Sequence, residues 1–183
     1  RNKYQNCHQV EKYNHFVNHC LNTDFIAGKL NIYRNFKTSL SNSLPIVGIN
    51  PGASYGEAKR WYPEEFAEVC AKLSGAYNIL IFGGSSEEDI AIDIEKILVD
   101  KGISNYQNLA GKISISELVE HISNLDLFIT GDSGPMHLAA GFQVPTVAIF
   151  GPTRDDETSQ WMNKKSIIVK KNLECQPCMK RTC

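Results

Sequence analysis

The chain has 183 residues, enough for one domain of ordinary size plus an extension, with a core that needs no covalent staples. Its 19 basic and 20 acidic residues leave a formal net charge of −1, which gives no electrostatic footprint for nucleic acid. No apolar run reaches the roughly 18 residues of a membrane span, and the polar stretch from Arg1 to Gln9 lacks the apolar centre of a signal peptide. The first residue is not Met, which suits a fragment or a processed product.

Composition divides the chain into residues 1–43 and 44–183. The first part is rich in Asn, Lys, His and Tyr. Tyr13, Phe16, Val17, Cys20 and Leu21 recur at helical spacing and predict one amphipathic helix. A lone helix of that length is marginal in water, so it is expected to pack on something, including a part of the protein outside this chain. Ser39 to Ser43 reads as a linker.

From Pro45 onward strands and helices alternate. Ile46 to Asn50 reads as a buried strand. Pro63 opens a helix, where its missing amide is no loss, with Phe66, Val69, Cys70 and Leu73 on the inner face. Ile79 to Phe82 is the next strand, followed by Gly83-Gly84 and a helix from about Ser86 to Lys101, with Ser86 as its N-cap. Tyr106 to Leu109 reads as a short strand. Ser114 and Glu117 have the spacing of a capping box and start a helix that ends before Leu125. Leu127 to Thr130 is a strand, Pro135 begins a helix, Thr146 to Phe150 is a strand, and Ser166 to Val169 adds one more. This alternation predicts an α/β fold, a Rossmann-like parallel sheet with helices on both faces and right-handed crossovers. Ligands of such sheets gather at the carboxyl ends of the strands.

The cysteines lie at 7, 20, 70, 175, 178 and 183. Cys70 is expected as a buried free thiol. Cys175, Cys178 and Cys183 have a spacing open to metal or redox chemistry, yet they are one ligand short of a structural zinc site, and reduced thiols are expected. No metal site is assigned.

Three loops follow carboxyl ends of strands. The first, "NPGASYGEAKRW" at 50–61, sets Lys59 and Arg60 beside a turn fixed by Pro51, Gly52 and Gly56. It reads equally as a phosphate clamp or as a solvated basic loop anchored by Trp61. The second, "FGGSS" at 82–86, leaves room for close backbone approach, with serine hydroxyls within reach of a ribose. The third, "GDSGPMHLAAGFQVPTVAIFGPT" at 131–153, passes from a strand through a turn into a helix. Unpaired amides and the helix dipole at such a start form an anion site. Asp132 is expected to accept from backbone amides and hold the turn, and His137 to donate to a phosphate or hydroxyl.

The letters Gly131-Asp132-Ser133-Gly134 also surround the nucleophile of trypsin-like proteases. That reading lacks the β-barrel context and the upstream histidine. The nucleophile elbow of α/β-hydrolases needs G-x-S-x-G, and here the second glycine comes one position early. After Ser133 only His137 could complete a triad, one helical turn away and with no orienting acid between. A nucleotide-binding module without chemistry stays open. A dinucleotide-dependent epimerase or dehydrogenase is disfavoured because no G-x-G-x-x-G follows the first strand.

The three motifs in this order resemble the C-terminal half of the bacterial heptosyltransferases, which move heptose from ADP-heptose to the inner core of lipopolysaccharide. The resemblance covers about residues 45–183, together with "HQVEKY" at 8–13, similar to the connector that leaves the N-terminal domain. Asp132-Ser133-Gly134 and "ECQPCMKRTC" at 174–183 resemble the type II enzymes more than type I.

The resemblance implies one half of a two-domain GT-B fold, with residues 44–183 as the donor-binding domain. It implies that Lys59 meets the diphosphate, that Ser85 lies at the nucleoside, and that Asp132, Ser133, Gly134 and His137 hold the donor. It implies inverting transfer without a metal or other cofactor. The partners would be ADP-heptose, a lipid-linked core acceptor and the protein's own N-terminal domain, at the cytoplasmic face of the inner membrane. The family's catalytic base is an Asp near the start of the N-terminal domain. Residues 1–43 offer no counterpart, so no catalytic residue is assigned here and the chain alone is expected to be inactive.

Overall fold

A computed structural model describes residues 7–33 and 44–183. The linker expected at 39–43 lies outside the described residues. Six parallel strands form one sheet in the order β3-β2-β1-β4-β5-β6. They are β1 (Ile46–Asn50), β2 (Asn78–Ile81), β3 (Tyr106–Asn108), β4 (Leu127–Gly131), β5 (Thr146–Phe150) and β6 (Ser166–Lys170). The helices are α1 (Gln9–Leu21), α2 (Pro63–Leu73), α3 (Glu88–Asp100), α4 (Ile115–Ser123), α5 (Gly134–Phe142) and α6 (Asp155–Thr158). This is the Rossmann-like arrangement that the alternation predicts.

The sequence reverses direction across the sheet between β1 and β4, which pair from Val47↔Leu127 to Asn50↔Thr130. Chain segments leaving these two strands turn to opposite sides, so a crevice opens above their carboxyl ends. β1 is almost wholly buried, as befits a central strand covered on both faces. On one side Phe66, Cys70, Ile94 and Leu98 of α2 and α3 pack on Val47, Ile49, Ile79 and Ile81. On the other, Ile122 and Ala139 of α4 and α5 pack with Phe82 and Phe128. Full burial of each large side chain contributes about 1.5–3 kcal/mol, and this holds the strand ends in fixed register. The Cys70 thiol lies in that core, and burial pushes its pKa up to about 12.

The capping box of α4 forms as its spacing predicts, with the Glu117 amide donating to Ser114 Oγ at 3.3 Å and the Ser114 amide donating to Glu117 Oε2 at 2.8 Å. Ser86 is not an N-cap. A 3₁₀ turn over Ser85–Glu87 precedes α3, and the Glu87 carboxylate accepts the Gly84 amide at 2.9 Å instead. A carboxylate reaching back three residues satisfies the free amide better than a hydroxyl within the turn. The four-residue α6 was not visible as a helix, because the acidic run Asp155-Asp156-Glu157 has no apolar periodicity.

α1 forms, but its apolar stripe faces outward: Tyr13 and Phe16 are 63% and 67% exposed. The opposite side holds the helix to the domain. His8 caps it, accepting from the Val10 amide at Nδ1 (3.2 Å), while Nε2 lies 2.9 Å from the Ser159 carbonyl. A carbonyl cannot donate, so Nε2 is the donor in this bond. The ring also stacks on Trp161 at 4.7 Å, and Lys12 pairs with Glu157 at 2.7 Å. Among the described residues no helix is long and apolar enough to cross a membrane.

Candidate functional site

The crevice above β1 and β4 widens into a cleft of about 640 Å³. Its lining comes from all three loops singled out in the sequence and from three segments that were not, Ile113 to Leu118, Arg154 to Thr158 and Met179. Over β1 and β4 stand Asn50, Lys59, Asp132, Ser133, Gly134 and His137. Over β2 and β3 stand Gly83, Gly84, Ser86, Glu87, Ile113, Ile115 and Leu118. Over β5 stand Thr153, Arg154, Glu157 and Thr158, joined by Met179 from the chain after β6.

The turn after β4 reaches α5 through Ser133, whose backbone is extended and which serves as N-cap without a side-chain cap bond. Pro135 carries no N–H and the Met136 amide donates to the Ser133 carbonyl at 3.2 Å, so the amides left at the helix start are those of Ser133 and Gly134, at the positive end of the helix dipole. A Cβ built on Gly134 meets nothing within 4 Å, so the space directly above the helix start is free. An anion fits there. The Ser133 hydroxyl turns sideways: Asn50 Nδ2 donates to it at 3.3 Å, and it donates to Thr130 Oγ1 at 3.1 Å, whose own proton goes to the Gly131 carbonyl. Among the described residues these are its partners, and no base is placed to activate it. The nucleophile reading finds no geometric support.

Asp132 departs from its expected role. Its carboxylate accepts the Thr153 hydroxyl at 2.6 Å and pairs with the Lys59 ammonium at 2.7 Å, rather than accepting backbone amides. The physical reason is the position of Lys59. The loop after β1 lies so close over the ends of β4 and β5 that a Cβ on Gly151 would stand 2.6 Å from the Ala58 carbonyl. That approach carries the Lys59 side chain under the turn, where it also donates to the Asp132 carbonyl at 3.3 Å. Lys59 and Asp132 are 12% and 7% exposed, so neither charge is dispersed by water and each is held by the other. Arg60 turns the other way, to the Ala53 carbonyl at 3.3 Å, and Trp61 packs edge-on against Phe66 at 5.2 Å. Trp61 anchors the loop as a packing residue, while Lys59 is buried against Asp132 rather than solvated.

His137 sits one turn into α5 with its ring open to the cleft. Its pKa is lowered, first by partial loss of solvent around the ring. Asp132 opposes that shift, while His8 and Lys59 reinforce it. The neutral ring can accept or donate one proton near neutral pH.

Lys59, Asp132, Ser133, Gly134 and His137 come together. Ser85 is exposed and stands outside the lining, while its neighbour Ser86 lies within it. Glu87 was missed. It is buried, it lies over Gly52 in the space a Cβ there would fill, and one carboxylate oxygen holds the Gly84 amide. The signal in the sequence was an acid three residues after a glycine at a helix start. Arg154 and Thr153 were also missed, although they too follow the end of a strand. Arg154 pairs with Glu157 at 2.8 Å and with Asp156 at 3.4 Å.

Comparison with known proteins bears on this site. A model of glycosyltransferase family 9 (heptosyltransferase) matches residues 2–183. Lipooligosaccharide heptosyltransferase 2 of Campylobacter jejuni (serotype O:2) is 44% identical over 188 residues, covering 100% of this chain and 59% of its own. Lipopolysaccharide heptosyltransferase 2 of Escherichia coli K12 is 34% identical over 131 residues, 71% of this chain and 38% of its own. Among solved structures, the E. coli ADP-heptose lps heptosyltransferase II superimposes with a TM-score of 0.68 at 29% identity, over 77% of this chain and 45% of that one. This chain thus spans about three-fifths of the Campylobacter relative and less of the others. The matched length and the strand-end cleft together place it: the chain belongs to glycosyltransferase family 9, the heptosyltransferases.

Proposed function

We propose that residues 44–183 are the donor-binding domain of a heptosyltransferase that moves heptose from ADP-heptose to the inner core of lipopolysaccharide. The observation that carries this is the free α5 start beside the buried Lys59–Asp132 pair, in a cleft of about 640 Å³. The diphosphate lies over β1 and β4, where the Ser133 and Gly134 amides and the Lys59 ammonium meet its oxygens. The ribose diol donates to Glu87, and the base rests on Ile113, Ile115 and Leu118.

Transfer breaks the bond between the heptose and the diphosphate, and negative charge grows on the departing oxygen. Fixed amides at Ser133 and Gly134 stabilise that charge without reorganising. Lys59 can lean from Asp132 toward the phosphate, because Thr153 still holds the carboxylate. His137, neutral when free, takes up a proton beside the diphosphate and adds a further charge.

Transfer inverts the sugar. The base that deprotonates the acceptor and the acceptor site belong to an N-terminal domain, of which residues 1–43 are the connector. The acceptor is lipid-linked, which places the whole enzyme at the cytoplasmic face of the inner membrane.

Calorimetric titration with ADP tests the donor reading. Saturable binding, weakened by Lys59→Ala, is expected. Absence of binding overturns the reading, and binding indifferent to Lys59→Ala moves the site elsewhere. Assayed alone with ADP-heptose and acceptor, the chain is expected to show no transfer.

A further inference from the structure

After β6 the chain doubles back across the mouth of the cleft. Gln176 Nε2 donates to the carbonyls of Gly151 and Phe150. The Met179 amide donates to the Pro152 carbonyl at 2.9 Å, and the Tyr55 hydroxyl donates to the Met179 carbonyl at 3.0 Å. The Ala58 amide donates to the Arg181 carbonyl at 3.1 Å, and the Arg181 guanidinium lies 5.1 Å from the centre of the Tyr55 ring. These bonds tie one strap, residues 176–181, to the loops that follow β1 and β5. The loop after β1 makes room for it: a Cβ on Gly56 would stand 2.5 Å from the Arg181 carbonyl oxygen. The strap ends at the cleft, where Met179 joins Thr153, Arg154 and Thr158 in the lining.

The order of the strands gives the cleft a direction. With the diphosphate at the start of α5, above β1 and β4, the two groups it joins must leave on opposite sides. The β2–β3 side has the apolar wall and the Glu87 carboxylate, which suit a base and a ribose. The glycosyl group then falls on the β5 side, against the strap. That wall is polar in the mixed way a polyol requires: the Thr158 hydroxyl, the Glu157 carboxylate and the Arg154 guanidinium, whose buried Nε has no partner among the described residues. A buried donor without a partner is costly, and a sugar hydroxyl would satisfy it.

We propose that the strap and the loop from Thr153 to Thr158 form the subsite for the glycosyl group of the donor, with the strap fixing its outer wall. This rests on the donor-binding reading above. The strap residues do not touch the nucleotide side, so they discriminate between sugars attached to the same nucleotide.

The test compares ADP with ADP-heptose by calorimetry on the chain as it is, on Gln176→Ala, which releases one end of the strap, and on Gln176→Glu, which sets a carboxylate against the carbonyls of Gly151 and Phe150. Gln176 does not line the cleft, and melting curves accompany each titration. The wild type is expected to bind ADP-heptose more tightly than ADP. In both variants ADP affinity stays within about twofold, while ADP-heptose loses about tenfold, the scale of one or two lost neutral hydrogen bonds. Equal losses for both ligands, or none for either, overturn the proposal. So does a wild type that gains nothing from the heptose. A wild type that fails to bind ADP itself removes the donor reading and this inference with it, and that result is distinct from the other three.

Discussion

Lys59→Met is the perturbation that reads the buried pair most directly. The side chain keeps its length and loses its charge, leaving the Asp132 carboxylate with the Thr153 hydroxyl at 2.6 Å as its remaining side-chain partner. Breaking one side of a buried pair costs about 3–5 kcal/mol, because the other charge stays behind without compensation. Lys59 and Asp132 are 12% and 7% exposed, so the buried value applies rather than the surface one. Thr153 remains in place, so the lower end, about 3 kcal/mol, is expected. For a chain of this size that lowers the melting temperature by about 6–12 °C. The assay is calorimetric melting at neutral pH of the wild type, Lys59→Met, Asp132→Asn and the double variant. The double variant should recover most of the loss, since no lone charge remains. A loss below about 1 kcal/mol for Lys59→Met, the value of a surface pair, would refute the argument and show that water reaches Asp132 freely.

Ser133→Ala should weaken ADP binding by only about 0.5–1.5 kcal/mol, two- to tenfold, because the anion site is made of backbone amides and the hydroxyl is turned to Asn50 and Thr130. Covalent labelling of Ser133 by a fluorophosphonate would contradict that. His137 has a lowered pKa, so the unfolded chain binds more protons than the folded one just below the ordinary histidine value of about 6.5. Stability therefore rises with pH through that window and is lost as the pH drops through it, and His137→Gln should flatten this part of the profile. A diphosphate beside the ring reverses the shift, so ADP binding near pH 6 should take up a proton, seen as a dependence of binding heat on buffer ionisation. Binding heats independent of buffer would remove His137 from the phosphate.

Most of the sheet was legible because a buried parallel strand leaves a local mark, an apolar run bounded by turn residues, and β1 and β5 fall on the residues so marked. The start of α5 was legible for the same reason: strand, turn and helix are contiguous from Leu127 to Phe142. Contacts between distant segments were not legible. Asp132 was assigned to amides because the sequence shows its neighbours and not Lys59, 73 residues away. The C-terminal tail showed only the spacing of its cysteines, although its contact with the cleft runs through Tyr55 and Met179, 124 residues apart. The stripe on α1 correctly gave a helix, but amphipathicity says which face is apolar and not whether the described chain covers it. Glu87 was hidden by its commonness, since an acid at a helix start is ordinary until burial makes it costly.

The charges of the cleft bear on how it can hold an anion at all. Its lining carries two cations, Lys59 and Arg154, against three carboxylates, Glu87, Asp132 and Glu157. Both cations are already paired, Lys59 with Asp132 and Arg154 with Glu157 and Asp156. An approaching diphosphate therefore meets no net positive field from these side chains until Lys59 turns from Asp132. Attraction up to that point comes from the backbone amides and the α5 dipole, which act over a few ångströms and reward only an anion placed at the helix start. Such a site favours position over charge, so on the donor-binding reading proposed above a ligand gripped at both ends, by the nucleoside wall and by the strap, gains most from those amides.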